Sequence, residues 1–95
     1  MEQINIEEQL KKFVTLLVEI AIIDEQSTEP AIYFTKTVND IKICPDGTHV
    51  RIYFNHVSFF AIPLTTTVVN SKEEWEAYDQ TAGLYYVIRE GQSVP

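Results

Sequence analysis

Cys44, His49 and His56 are the residues whose types suit chemistry best, since a thiol and imidazoles a few positions apart can form a nucleophile–base pair or hold a soft metal. Their spacing matches no metal-ligand pattern, there is no second cysteine, and a four-ligand site would need acids from distant segments. A surface histidine beside a small, half-buried cysteine accounts for the same residues, so no metal and no cofactor are expected. Phosphate loops, nucleophile elbows, zinc-protease helices and dinucleotide fingerprints are absent from the sequence. The chain therefore reads as non-catalytic rather than as an enzyme.

Two further groups suit binding. Lys42, Arg51, Tyr53 and Phe60 place two cations and two rings on what reads as the open face of a sheet, where charge and cation–π contacts can hold an anionic small ligand. Exposed aromatics of this kind also occur in readers of single-stranded RNA. Seven Lys and Arg against fourteen Asp and Glu, a formal charge of −7, argue against direct nucleic-acid binding, because neutralising phosphates requires cations. In the second group, Glu73, Glu76 and Asp79 surround Trp75 and Tyr78, so aromatic anchors rimmed by acid could meet a basic protein. The competing reading is a solvated helix face whose rings point into the core. These carboxylates lack the polar neighbours that glycoside or metal chemistry needs.

The elements that must position these groups follow from patterning. Ninety-five residues with 45% hydrophobic content suit one domain, 1–95, able to bury a core without disulfides. A single cysteine and the lack of a recognisable signal peptide point to a reducing, cytoplasmic setting. The stretch from Asn5 to Asp24 organises the reading. Asn5 precedes Glu8 by three residues, the capping-box spacing, and Ile6, Leu10, Phe13, Leu17 and Ile20 recur at helical period opposite Glu8, Lys12, Thr15 and Glu19. This predicts a long N-terminal helix. Thr15 and Glu19 interrupt its apolar run and basic flanks are lacking, so no membrane association is expected. From Phe13 to Ile23 the apolar arc is wider than one sheet face covers, which predicts self-association through Phe13, Val14, Leu17, Val18 and Ala21.

Beyond Pro30 the period changes. Ala31 to Val38 reads as a strand, with Lys36 marking a sheet edge, and Asn39-Asp40 as a tight turn. Ile41 to Cys44, a Pro45-Asp46-Gly47-Thr48 turn and His49 to Phe54 form a hairpin that sets Ile43 opposite Val50, Ile41 opposite Ile52 and Lys42 opposite Arg51. A two-residue turn at Asn55-His56 then places Val57, Phe59 and Ala61 on the core face and Phe60 beside Arg51. Thr65 to Val69 reads as a short strand. Ser71 to Gln80 reads as a short helix, from the capping-box spacing of Ser71 and Glu74; Leu84 to Arg89 is the closing strand and Glu90 to Pro95 a loose tail. The expected fold is α+β: a long N-terminal helix packed on an antiparallel sheet of about five to six strands, with a short second helix before the last strand. The expected function is a small acidic protein-interaction module that self-associates. The alternatives are a stoichiometric inhibitor of a basic nucleic-acid-handling protein, of anti-defence or toxin-neutralising type, and an anionic small-ligand-binding module.

Overall fold

Val18, Ile20, Ile22 and Ile23 crowd β-branched side chains into the second half of the expected N-terminal helix, and residues 17–24 are a strand. The computed structural model describes residues 6–91. Asn5, the expected N-cap, and residues 92–95 of the expected tail lie outside them. Among the described residues helix is confined to α1, Ile6–Leu10, followed by one 3-10 turn, Lys11–Phe13. Thr15 then adopts a φ of 71°, uncommon for a β-branched residue, at the turn leading into β1, Leu17–Asp24. In an almost continuous apolar run the helical and alternating patterns coincide. The strand prevails because β1 hydrogen-bonds to a neighbour on each side while Val18 and Ile20 enter the core.

Seven more strands follow: β2 Phe34–Thr37, β3 Asp40–Ile43, β4 His49–Tyr53, β5 Phe59–Pro63, β6 Thr67–Asn70, β7 Glu74–Asp79 and β8 Leu84–Glu90. They form a five-stranded sheet of order β2-β1-β8-β7-β6 and a three-stranded sheet β3-β4-β5; every strand pairing is antiparallel. Of the described residues 52% are in strands and 9% are helical, so the fold is mostly β rather than α+β. The short second helix is also corrected. Glu74, Glu76 and Tyr78 alternate with the buried Trp75 and Ala77, a strand pattern. The Ser71 hydroxyl and the Ser71 N–H both donate to the Glu74 carbonyl at 2.9 Å, closing the β6–β7 turn instead of capping a helix.

The β3–β4 hairpin has the expected register, with Ile43 opposite Val50, Ile41 opposite Ile52 and Lys42 opposite Arg51. The next hairpin does not. Phe54 N–H donates to Ser58 O at 2.9 Å, and Asn55 Oδ1 accepts from the N–H groups of Val57 and Ser58. The connection therefore spans three residues, 55–57, and Tyr53 pairs with Phe59. One extra loop residue moves every β5 side chain to the other face. Phe60 and Ile62 turn to the core, while Phe59 and Ala61 face outward. Asn39 makes no hairpin turn either; it carries the chain from the five-stranded to the three-stranded sheet, its N–H donating to Tyr53 O at 2.6 Å.

Both sheets share one core. Val18, Ile20, Trp75, Ala77, Tyr86 and Ile88 come from the larger sheet and Ile41, Val50, Ile52 and Ile62 from the smaller. Ile6, Leu10 and Phe13 join them, so the short helical segment is packed into the core near the start of β1. Two contacts fasten it there. The indole Nε1–H of Trp75 donates to Gln9 Oε1 at 3.0 Å, and Lys12 Nζ donates to Asn70 Oδ1 and Ser71 O at 2.7 and 2.6 Å. Among the described residues no helix is long and apolar enough to cross a membrane.

Candidate functional site

The far end of β1 is left unfinished. β8 pairs with β1 as far as Asp24 opposite Leu84, but β2 begins only at Phe34, opposite Ile20. Ile22 lies on the same face as Val18 and Ile20 yet is 50% exposed. A cleft of about 500 Å³ opens at this end, lined by Ile20, Ile22, Ile32, Phe34, Phe54 and Phe60, with Lys36 the cation in its wall. Phe34 and Ile32 are 61% and 71% exposed. The cleft is thus an extension of the core surface that this chain does not fill.

β2 is also an edge strand, as Lys36 led one to expect. Which of its backbone groups face outward follows from the ladder. Val38 N–H donates to Leu16 O at 3.1 Å, and stepping by two along the antiparallel register makes Lys36–Val18 and Phe34–Ile20 the hydrogen-bonded pairs. On the other side of β1, Gly91 N–H donates to Leu17 O at 2.8 Å, so odd-numbered β1 residues face β8, as the same alternation requires. Thr35 and Thr37 therefore turn their N–H and C=O groups away from the sheet. The Lys36 ammonium lies 5.7 Å from the centre of the Phe54 ring.

The residues expected to mediate self-association sit elsewhere. Phe13, Val18 and Ala21 are buried within the single chain, Val14 is half-buried in a bridge with Val38, and Leu17 is 47% exposed. The wide apolar arc that motivated the choice belongs to a helix that does not form. Ile32 and Phe34 were legible as the apolar side of a strand flanking Lys36; what the sequence hides is that no inner layer covers them.

On the outward face of the three-stranded sheet, Arg51 and Tyr53 come together with Phe59. Arg51 Nη1–H donates to Tyr53 Oη at 3.1 Å, its Cζ lies 4.6 Å from the centre of the Phe59 ring, and the Tyr53 and Phe59 centroids are 5.2 Å apart. The bond to Tyr53 holds the Arg51 pKa above its ordinary value. Lys42 stands opposite Arg51, with Nζ 3.8 Å from the Asp40 carboxylate. Phe60 is absent from this group, since it packs edge-on against Tyr86 at 5.8 Å between the two sheets. Phe59 replaces it through the one-residue register shift.

The thiol and imidazole of the first reading form a turn-locking network. Cys44 Sγ–H donates to Asp46 Oδ1 at 2.7 Å, Thr48 Oγ1–H and N–H donate to the same oxygen at 2.8 and 3.2 Å, and His49 N–H donates to Cys44 Sγ at 3.3 Å. With its proton on Asp46, Thr48 Oγ1 accepts from His49 Nδ1 at 2.8 Å. Hydrogen bonds from Cys44 and then Thr48 pull the Asp46 carboxyl down to about 2. For Cys44, the Asp46 bond and burial favour the thiol, whereas Thr48 and backbone N–H groups favour the thiolate, and the balance lies below the usual value. His56 is exposed in the β4–β5 loop. Among the described residues no three His, Cys, Asp or Glu converge to hold a metal.

The acidic group is divided by the strand. Trp75 is 0% exposed and cannot anchor a partner, while Glu76 and Tyr78 lie on the opposite face of β7 and Glu73 is exposed in the preceding turn. Asp79 ends β7 and accepts from the Thr81 and Ala82 N–H groups through Oδ1. The Tyr78 hydroxyl donates to the Glu25 carboxylate at 3.0 Å, which raises its pKa, and its ring stacks on Tyr85 at 4.6 Å. Comparison with protein families, curated proteins and solved structures returned no match to this chain.

Proposed function

We propose that the protein is a non-catalytic interaction module that pairs with a second copy of itself through β2. The supporting observation is the open β2 edge, whose outward backbone groups at Thr35 and Thr37 flank the exposed side chains of Phe34 and Lys36. Natural edges are usually shortened, bulged, covered or charged, because an open ladder recruits another strand. Here the protection is a length of four residues and one lysine.

The sequence of β2 is self-complementary. An antiparallel pairing of two copies about Thr35 makes Thr35–Thr35 a hydrogen-bonded pair, with Thr37 bonded to Tyr33 of the other copy. Phe34 of each copy then faces Lys36 of the other on the cleft side, so ring meets cation and the two lysines do not oppose one another. The exposed Phe34 of each chain thereby gains a neighbour across the two-fold axis. A cytoplasmic setting belongs to the same proposal, since Cys44 is a free thiol, locked in a turn.

Thr35→Pro tests this reading. It removes an outward N–H and leaves the β1–β2 ladder intact, whereas Lys36→Pro removes an N–H directed at β1. Sedimentation should find wild type dimeric at micromolar concentration and Thr35→Pro monomeric with an unchanged far-UV spectrum. A dimeric Thr35→Pro protein would remove β2 from the interface, and a monomeric wild type would remove the reading.

A further inference from the structure

We infer that the outward face of the three-stranded sheet is a binding site for a small monoanion, an oxyanion carried on a planar apolar group, anchored by Arg51. The inference goes beyond dimerisation, because this face and β2 lie on different sheets.

Three observations carry it. Arg89 and Lys42 each pair with a carboxylate: Arg89 Nε is 2.8 Å from Glu19, and Lys42 is 3.8 Å from Asp40. Among the described residues no carboxylate lies within ion-pair distance of Arg51; its polar partner is the neutral Tyr53 hydroxyl. The guanidinium is also already oriented, lying over Phe59 and tied to Tyr53. A half-buried arginine held in one geometry presents its remaining N–H fork without further ordering, and that fork matches a carboxylate or phosphate. Finally, there is space beside it. A cleft of about 460 Å³ is lined by Arg51, Phe59, Ala61, Thr48 and His49, and the exposed Phe59 offers an apolar wall to a ring.

Charge sets the ligand class. Lys42 across the ladder is offset by Asp40, 3.8 Å from its ammonium, so Arg51 is the cation of this face without a carboxylate partner. Asp46 also lines the cleft, and its carboxylate, ionised at neutral pH, opposes multiply charged ligands. A single negative charge on a planar group fits this balance. A carboxylate and a phosphate share this oxyanion chemistry, and the two are separated by experiment.

The test is an NMR titration of the Arg51 Nε–H and the β4 and β5 amides with benzoate and, separately, with inorganic phosphate. It is run on the full chain and repeated on Thr35→Pro, so that failure of dimerisation and failure of this site are read separately. Benzoate should give saturable shifts at Arg51 and Phe59 in both proteins. Arg51→Ala should weaken binding by about tenfold or more, with Arg51→Lys intermediate because charge survives but the fork does not. Phe59→Leu should weaken benzoate and spare phosphate. Phosphate binding more tightly than benzoate would overturn the planar monoanion assignment. Absence of saturable shifts with either probe, or equal affinity in a folded Arg51→Ala protein, would overturn the site itself.

Discussion

Gln9→Ala should destabilise the fold by about 1–3 kcal/mol, although the side chain it shortens is only half-buried. The cost arises on the partner. Trp75 is 0% exposed, and its Nε1–H donates to Gln9 Oε1 at 3.0 Å. Removing the acceptor leaves a donor in the core, and the penalty is the desolvation of that N–H. Water entering beside the half-exposed position 9 would reduce it, so the lower end of the range is expected. Each kcal/mol moves Tm by about 4–8 °C in a domain near this size, so the fall should be at least about 4 °C. Trp75→Phe removes the donor together with packed ring area. In that background Gln9→Ala should cost almost nothing further, because the two changes share one interaction. The chain has one tryptophan, so urea unfolding of wild type and Gln9→Ala is followed by indole emission, and that of the two Trp75→Phe proteins by far-UV circular dichroism. The runs are compared at one protein concentration, since association makes stability concentration-dependent. An unchanged midpoint in Gln9→Ala, or a native emission typical of a solvated indole, would refute the placement of α1 against β7.

Two further predictions concern neighbouring residues and pH. Leu17 and Val18 are adjacent on β1 but point to opposite faces, so Leu17→Lys should change stability by no more than about 0.5 kcal/mol. Val18→Lys puts an unpaired charge into the core and should unfold the chain, as circular dichroism would record; equal effects would contradict the strand. The Asp46 carboxyl has its pKa depressed from 3.8 to about 2, so its contribution to the β3–β4 turn is fully present above 3.8 and is lost as pH falls through about 2. The amide shifts of Thr48 and His49 should titrate with that low midpoint, and Asp46→Asn should abolish the step; a midpoint near 3.8 would contradict the hydrogen-bonded turn.

The parts of the fold that are legible in the sequence are those governed by local chemistry. Pro45-Asp46-Gly47 dictates a turn, and the matching of Ile41 and Ile43 to Ile52 and Val50 fixes the register across it. Lys36 marks an edge strand for a similar reason. The two helices fail where one run satisfies two periods. Ile6, Leu10, Phe13, Leu17 and Ile20 are spaced like a helix, yet Val18, Ile20 and Ile22 also alternate, and only the neighbours β2 and β8 decide between them. At Ser71 the capping-box spacing is met, but Trp75 and Ala77 against Glu74, Glu76 and Tyr78 carry the strand signal.

The candidate sites follow the same division. Arg51 and Tyr53 were legible together because they sit two apart on one strand. Phe59 was not, because Asn55 Oδ1 accepts two N–H groups and organises a three-residue loop where two residues sufficed on paper. The unfinished apolar end at Ile22, Ile32 and Phe34 depends on where β2 stops relative to β8, a property of sheet assembly and not of any single segment.

Hydrogen exchange at the Thr35 amide, followed in the wild-type protein across a dilution series, tests the central proposal most directly. Pairing of two copies through β2 predicts protection of the Thr35 and Thr37 amides at high concentration, lost on dilution, while the Lys36 amide stays protected throughout. Free exchange of Thr35 at every concentration, beside a protected Lys36, would leave β2 an open edge and contradict the dimer.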